Sequence, residues 1–258
     1  MVDSNIPNPS GTIIYFIIIT LFFVFFNVYN IFKTKDITNT ILASDNLIIN
    51  SIYLLFLVLG TYFINVFISK AMCSQTIQWG YVLMITLLPW IIIFVSLYFI
   101  LKIFPGWISP FSNTIGYSVI GLLGVEKIYG SIFKTGQEAS ENTEVVKAIA
   151  NMNSNRSKFV NQISTNVDDF NTFFDNMKEL IKEDGNSDGT NKLKLYQLLI
   201  IKQFVGKIVW YVLAGILICS ISYNLIINMT CEKSLEELQK DFETASEEKI
   251  AAIQSEAI

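Results

Sequence analysis

At 258 residues, 52% of them apolar and 16% charged, with a mean hydropathy of +0.48, the chain is long enough for one or two domains but too hydrophobic for an ordinary soluble one. A net charge of -4 argues against the basic face that nucleic-acid binding requires, and the lack of histidine removes the commonest general base and the commonest zinc ligand. Three cysteines, Cys73, Cys219 and Cys231, are too few and too scattered for a zinc cage or a disulfide-stapled module.

Taken in order, the elements read as an all-α integral membrane protein with four transmembrane helices. The first apolar run, residues 12–32, is closed by Lys33 and Lys35; at ~1.5 Å per residue it matches a hydrocarbon layer of ~30 Å. The segment before it has no basic n-region, and the run is too long for a signal h-region, so it reads as a retained anchor. A second span, 47–69, ends at Lys70. Asn50, Ser51, Thr61 and Asn65 punctuate it and are expected to bond to a neighbouring helix. In the third, 79–101, Pro89 removes a backbone donor and predicts a kink. Trp79 and Tyr81 at one end, with Tyr98, Phe104 and Trp107 at the other, match two aromatic belts.

Residues 103–125 are uncharged and long enough to cross. Pro105, Gly106, Pro110 and Gly116, however, break a plain helix, while Trp107, Phe111, Asn113 and Tyr117 suit the headgroup zone. This stretch is expected to be a Pro/Gly-broken re-entrant or interfacial segment that completes an N-terminal membrane domain, residues 1–125.

Residues 126–191 form a polar helical segment. Val160, Ile163, Val167, Phe170, Phe174, Met177 and Ile181 recur at steps of three and four, the spacing of a coiled-coil heptad. Such an amphipathic seam could pack on the protein's own helices, bind a partner, or lie on a membrane surface. Thr135 and Glu138 have capping-box spacing, and 183–191 read as a linker. Residues 192–230 combine an interfacial helix, with Lys202 and Lys207 snorkelling to headgroups, and a last span at 208–227. The tail, 231–258, is charged; Leu235, Leu238, Phe242, Ala245 and Ile253 give it a weak helical stripe.

Lysine counts favour four spans over five: Lys33, Lys35, Lys102 and the basic residues from Lys127 to Lys207 then share one side, which would be cytoplasmic. Both termini fall on the other side, where Cys73 and Cys231 could pair in an oxidising compartment. Asn155 would stay unglycosylated, and the sequon at 228–230 lies too near the membrane for efficient modification.

The pattern C-S-Q-T-I-Q-x-G at 73–80, with F-P-G-W-I-S-P-F-S-N-T-I-G-Y at 104–117, resembles a membrane protein family of large icosahedral DNA viruses, the nucleocytoplasmic giant-virus group. The resemblance implies a minor capsid protein in the virion's internal membrane, derived from host endoplasmic reticulum, with capsid or other virion proteins as partners. It carries no catalytic residues. The residues themselves offer no nucleophile beside a base and no phosphate loop, and Asp168 and Asp169 read as a solvated helix face. The expectation is a non-enzymatic membrane scaffold without cofactor, metal, nucleic acid or small-molecule substrate. A channel or transporter subunit is the alternative, and a membrane-bound trafficking adaptor comes third.

Overall fold

The computed structural model describes residues 8, 10–73, 78–134, 143–182, 189–229 and 231. Its helices are α1 (Ser10–Lys33), α2 (Ile37–Ser44), α3 (Leu47–Met72), α4 (Trp79–Ile103), α5 (Pro105–Leu122), α6 (Val125–Ile132), α7 (Thr143–Ser154), α8 (Arg156–Gln162), α9 (Val167–Asn176) and α10 (Thr190–Ile227). Four segments are long and apolar enough to cross a membrane: α1, α3 together with α2, α4, and α10. Phe22, Phe25 and Phe67 on their outer faces are each at least 70% exposed, an arrangement that water penalises and lipid does not.

The four long helices enclose an aromatic ladder. Phe23 stacks on Tyr53 with centroids 4.1 Å apart, and Trp90, Phe94 and Tyr211 continue the contact at 5.4 and 4.8 Å. Two of the predicted polar residues tie helices together: Thr61 accepts the Trp90 indole N–H at 3.1 Å, and the Asn65 amide donates to the Thr86 hydroxyl at 2.8 Å. Ser51 is exposed, and Asn50 donates locally to Asp45 at 3.4 Å.

Pro89 acts as its chemistry requires. Having no N–H, it leaves the Ile85 carbonyl without its helical donor, and Ser222 of α10 supplies a hydroxyl at 3.1 Å. The turn after it, Trp90–Val95, widens to a π-helix. Beyond lies the far end of the bundle, where Ile68, Ile85 and Ile226 pack. There Cys73 and Cys231 form a disulfide, with Cα atoms 5.4 Å apart and a sequence separation of 158.

Two expectations require correction. The interfacial helix and last span are one element: α10 runs 38 residues, about 57 Å, nearly twice a hydrocarbon layer. Every residue from Leu195 to Lys202 is buried, Gln197 and Lys202 included, so this part is enclosed on all sides rather than lying half in lipid.

What encloses it is the second correction. The heptad seam does not form a long coiled-coil helix. It breaks between Ile163, where α8 is capped, and Val167, the Asn166 side chain capping α9 by accepting from the Asp168 and Asp169 amides at 2.9 and 3.3 Å. Asp168 and Asp169 thus sit in a first helical turn, where negative charge is favourable. The short helices fold back so that Val160, Ile163, Phe170 and Phe174 pack with Tyr129, Phe133, Leu195 and Tyr196; Val167, Met177 and Ile181 are half-buried. An antiparallel pairing of Phe133 with Ile181 closes this cap, through Lys134 N–H to Leu180 and Lys182 N–H to Ile132, both 2.9 Å. The seam is therefore consumed by the chain's own core.

The capping box at Thr135 and Glu138, most of the 183–191 linker, the tail stripe from Leu235 to Ile253, and Ser74 to Ile77 of the first motif lie outside the described residues.

Alkylation of denatured, unreduced protein should label Cys219 alone, and all three cysteines only after reduction. Peptide mass spectrometry checks this, and label on Cys73 without reductant would remove the disulfide.

Candidate functional site

The Pro/Gly stretch is more regular than its composition suggests. After a break at Phe104, α5 runs as 18 residues of helix whose hydrogen-bond register shifts twice: a 3-10 turn at Pro105–Ile108 and a π segment at Ser112–Gly116. Gly124, at φ 92°, supplies the left-handed residue that turns the chain 83° into α6.

α5 lies antiparallel along the first half of α10. Trp107 meets Trp210 with centroids 6.1 Å apart, and the Trp210 indole donates to the Trp107 carbonyl at 2.8 Å. Ser112 faces Gly206, where an added methyl would come within 2.8 Å of the Ser112 nitrogen; Gly116 faces Lys202, whose carbonyl an added methyl would strike. Small residues on both helices let the backbones touch. This register carries α5 from the level of Trp210 to that of Lys202, toward the cap and away from the disulfide end.

At the closest point sits Lys202, only 4% exposed. Its ammonium donates to the side-chain oxygens of Asn113 on α5 and Asn161 on α8, each at 3.0 Å, and the Asn161 amide donates to the Asn113 carbonyl at 3.2 Å. A buried charge needs hydrogen-bond partners, and the two amides accept from two of the three ammonium N–H groups without a second charge. Lys202 is thus a pin through three helices, not a snorkelling surface lysine. Lys207, one turn and a half on, is paired with Asp45.

A second clamp binds the far end of α5 to the cap. Glu126 receives Tyr117 Oη at 2.9 Å and Arg156 at 3.1 Å, and the Arg156 guanidinium stacks over the Tyr129 ring at 5.3 Å. The chain's only arginine serves the geometry that a planar guanidinium suits.

Of the predicted motif residues, Trp107 and Phe111 both contact Trp210, and Asn113, Gly116 and Tyr117 sit at the two clamps. Pro105 and Gly106 are exposed at the start of α5, and nothing would crowd a methyl on Gly106. Pro110 begins the short α-helical turn before the π segment. Sequence reasoning marks Lys202 only as a snorkelling lysine and passes over Asn161, Glu126 and Arg156 as clamp residues. The only sequence signal available was a lysine within an otherwise apolar run, which fits snorkelling equally well. Among the described residues no group of His, Cys, Asp or Glu is placed to hold a metal ion. The arrangement is built to hold helices together. Comparison of the chain with family models, curated proteins and solved structures found no match.

Gly116→Ala should destabilise the chain by roughly 1–3 kcal/mol through overpacking, while Gly106→Ala leaves thermal stability in detergent unchanged. Asn113→Ala should cost roughly 1–3 kcal/mol, and adding Lys202→Met should recover part of it, because the ammonium it strands is gone. Denaturation of the four variants in a double-mutant cycle measures this, and strictly additive losses would contradict the pin.

Proposed function

We propose that this chain is an integral membrane protein acting as a non-enzymatic scaffold that fixes a protein assembly to a bilayer. In line with its resemblance to giant-virus membrane proteins, the assembly is a capsid shell and the bilayer is the virion's internal membrane. The observation that carries the reading is α10, one uninterrupted helix whose second half packs in the four-helix bundle and whose first half forms the centre of the polar cap. A load on the cap therefore passes directly into the bundle.

Sidedness has two independent supports. The cap and the helix ends beside it carry every described basic residue except Lys70, which supports a cytoplasmic cap by the positive-inside rule. The disulfide lies at the opposite end, which an oxidising lumen favours. In this frame α5 is interfacial rather than re-entrant, since its register against α10 leads outward to the cap. The bundle axis is filled by the aromatic ladder, an interior suited to anchorage rather than conduction. With the seam buried, partner contacts fall to the cap's polar exterior, where Asp168, Asp169 and Lys178 are exposed.

In sealed microsomes the cap should be open to external protease while Cys73 stays protected from a membrane-impermeant thiol reagent after reduction, and Asn155 should carry no sugar. From solubilised particles the chain should co-purify with capsid proteins in fixed stoichiometry. Sugar on Asn155 would overturn the topology, and selective conductance in liposomes would overturn the scaffold.

A further inference from the structure

A second charged constellation lies where α2, α4, α5 and α10 converge, apart from the Lys202 pin. Asp45, just past α2, stands between two ammonium groups: Lys207 at 3.4 Å and Lys102 at 3.9 Å. The Lys207 side chain is 14% exposed, so its charge is held in place by burial and by Asp45. Lys102 is exposed, and 3.9 Å is outside hydrogen-bond distance. One carboxylate facing two ammoniums leaves the cluster with net positive charge.

An open cleft of 230 Å³ adjoins these groups, with Ser44, Gln203, Pro105 and Ile108 among its walls. Tyr98 also lines it, and the same ring bounds a second, almost wholly apolar groove of 190 Å³ between α3 and α4. That groove is formed by Leu47, Leu54, Phe94, Phe99 and Tyr211, leading from the lysines toward the middle of the bundle. Trp107 and Trp210, next to the cleft in sequence, meet at a level where indoles favour a membrane boundary.

A cationic cleft that shares the Tyr98 wall with an apolar groove has the two-part chemistry of a phospholipid with an anionic headgroup. We propose that it is a binding site for such a lipid: the phosphate bridges Lys102 and Lys207, and one acyl chain follows the groove between α3 and α4. Lys207 supplies a fixed charge, while Lys102, held to Asp45 only at long range, swings onto the phosphate. The site rests on the bilayer reading above, because the groove must open to acyl chains and the cleft to headgroups.

The test is native mass spectrometry of the full chain in detergent, titrated with phosphatidylserine, with phosphatidylcholine of the same acyl chains, and with glycerol phosphate. Phosphatidylserine should bind in preference, and the Lys102→Gln, Lys207→Gln double variant should weaken it by about fivefold for each lysine removed, leaving phosphatidylcholine unaffected. Lys33→Gln with Lys35→Gln, the same charge change elsewhere on that end, should leave the preference intact. Should the Lys207 variant fail to fold, the exposed Lys102→Gln alone carries the prediction of a fivefold loss. Equal binding of the two lipids, equal loss in both double variants, or competition by glycerol phosphate as effective as by lipid would overturn the site. Release of the chain from membranes by alkaline carbonate would instead overturn the bilayer reading. A chain retained by membranes without lipid preference overturns the lipid site alone.

Discussion

The close contact between α5 and α10 is the constraint on which the rest of the structure depends. Two backbones can approach this nearly only where side chains are absent or small, and Ser112 with Gly206, then Gly116 one turn on, meet that condition. Close approach brings Asn113 within reach of Lys202, and the π segment aids this by shifting the register of α5 where the two helices touch. The ammonium then recruits Asn161, which fixes α8 and with it the cap. A single steric allowance thus propagates through one buried charge into the placement of a third helix.

Prolines in this chain act by what they withhold. Pro89 leaves a carbonyl that a serine on another helix satisfies, so a local defect becomes a tertiary bond. Pro105 and Pro110 stand at the first positions of short helical turns, where a missing N–H costs little. The segment that composition marks as broken therefore folds as a helix with adjusted register, and its real corner is Gly124, beyond the last predicted motif position at Tyr117. Glycine content alone could not single out that residue, because the left-handed conformation is decided by where the next helix must go.

Layering along α10 unites the functional proposals. Its first half is enclosed by the cap, its middle meets the lysine cleft and the two indoles, and its second half packs among the aromatic ladder and the isoleucines near the disulfide. The proposed membrane scaffold, interfacial α5 and anionic-lipid site are three readings of one helix whose surroundings differ over three stretches of its length.

Sequence alone determined the four long apolar helices and nearly the limits of the first three, the polar pairs at Thr61 and Asn65, the disturbance at Pro89 and the pairing chemistry open to Cys73 and Cys231. These follow from local composition and from the length a helix needs, so they can be read without knowing neighbours. Only tertiary structure decided what the apolar seam from Val160 to Ile181 packs against, because a stripe of apolar residues specifies that it must be covered and not by what. The same holds for Lys202. A lysine in an apolar run is energetically acceptable either with its head in water or with its hydrogen bonds met inside, and the two amides that decide between these outcomes stand 89 and 41 residues away in sequence.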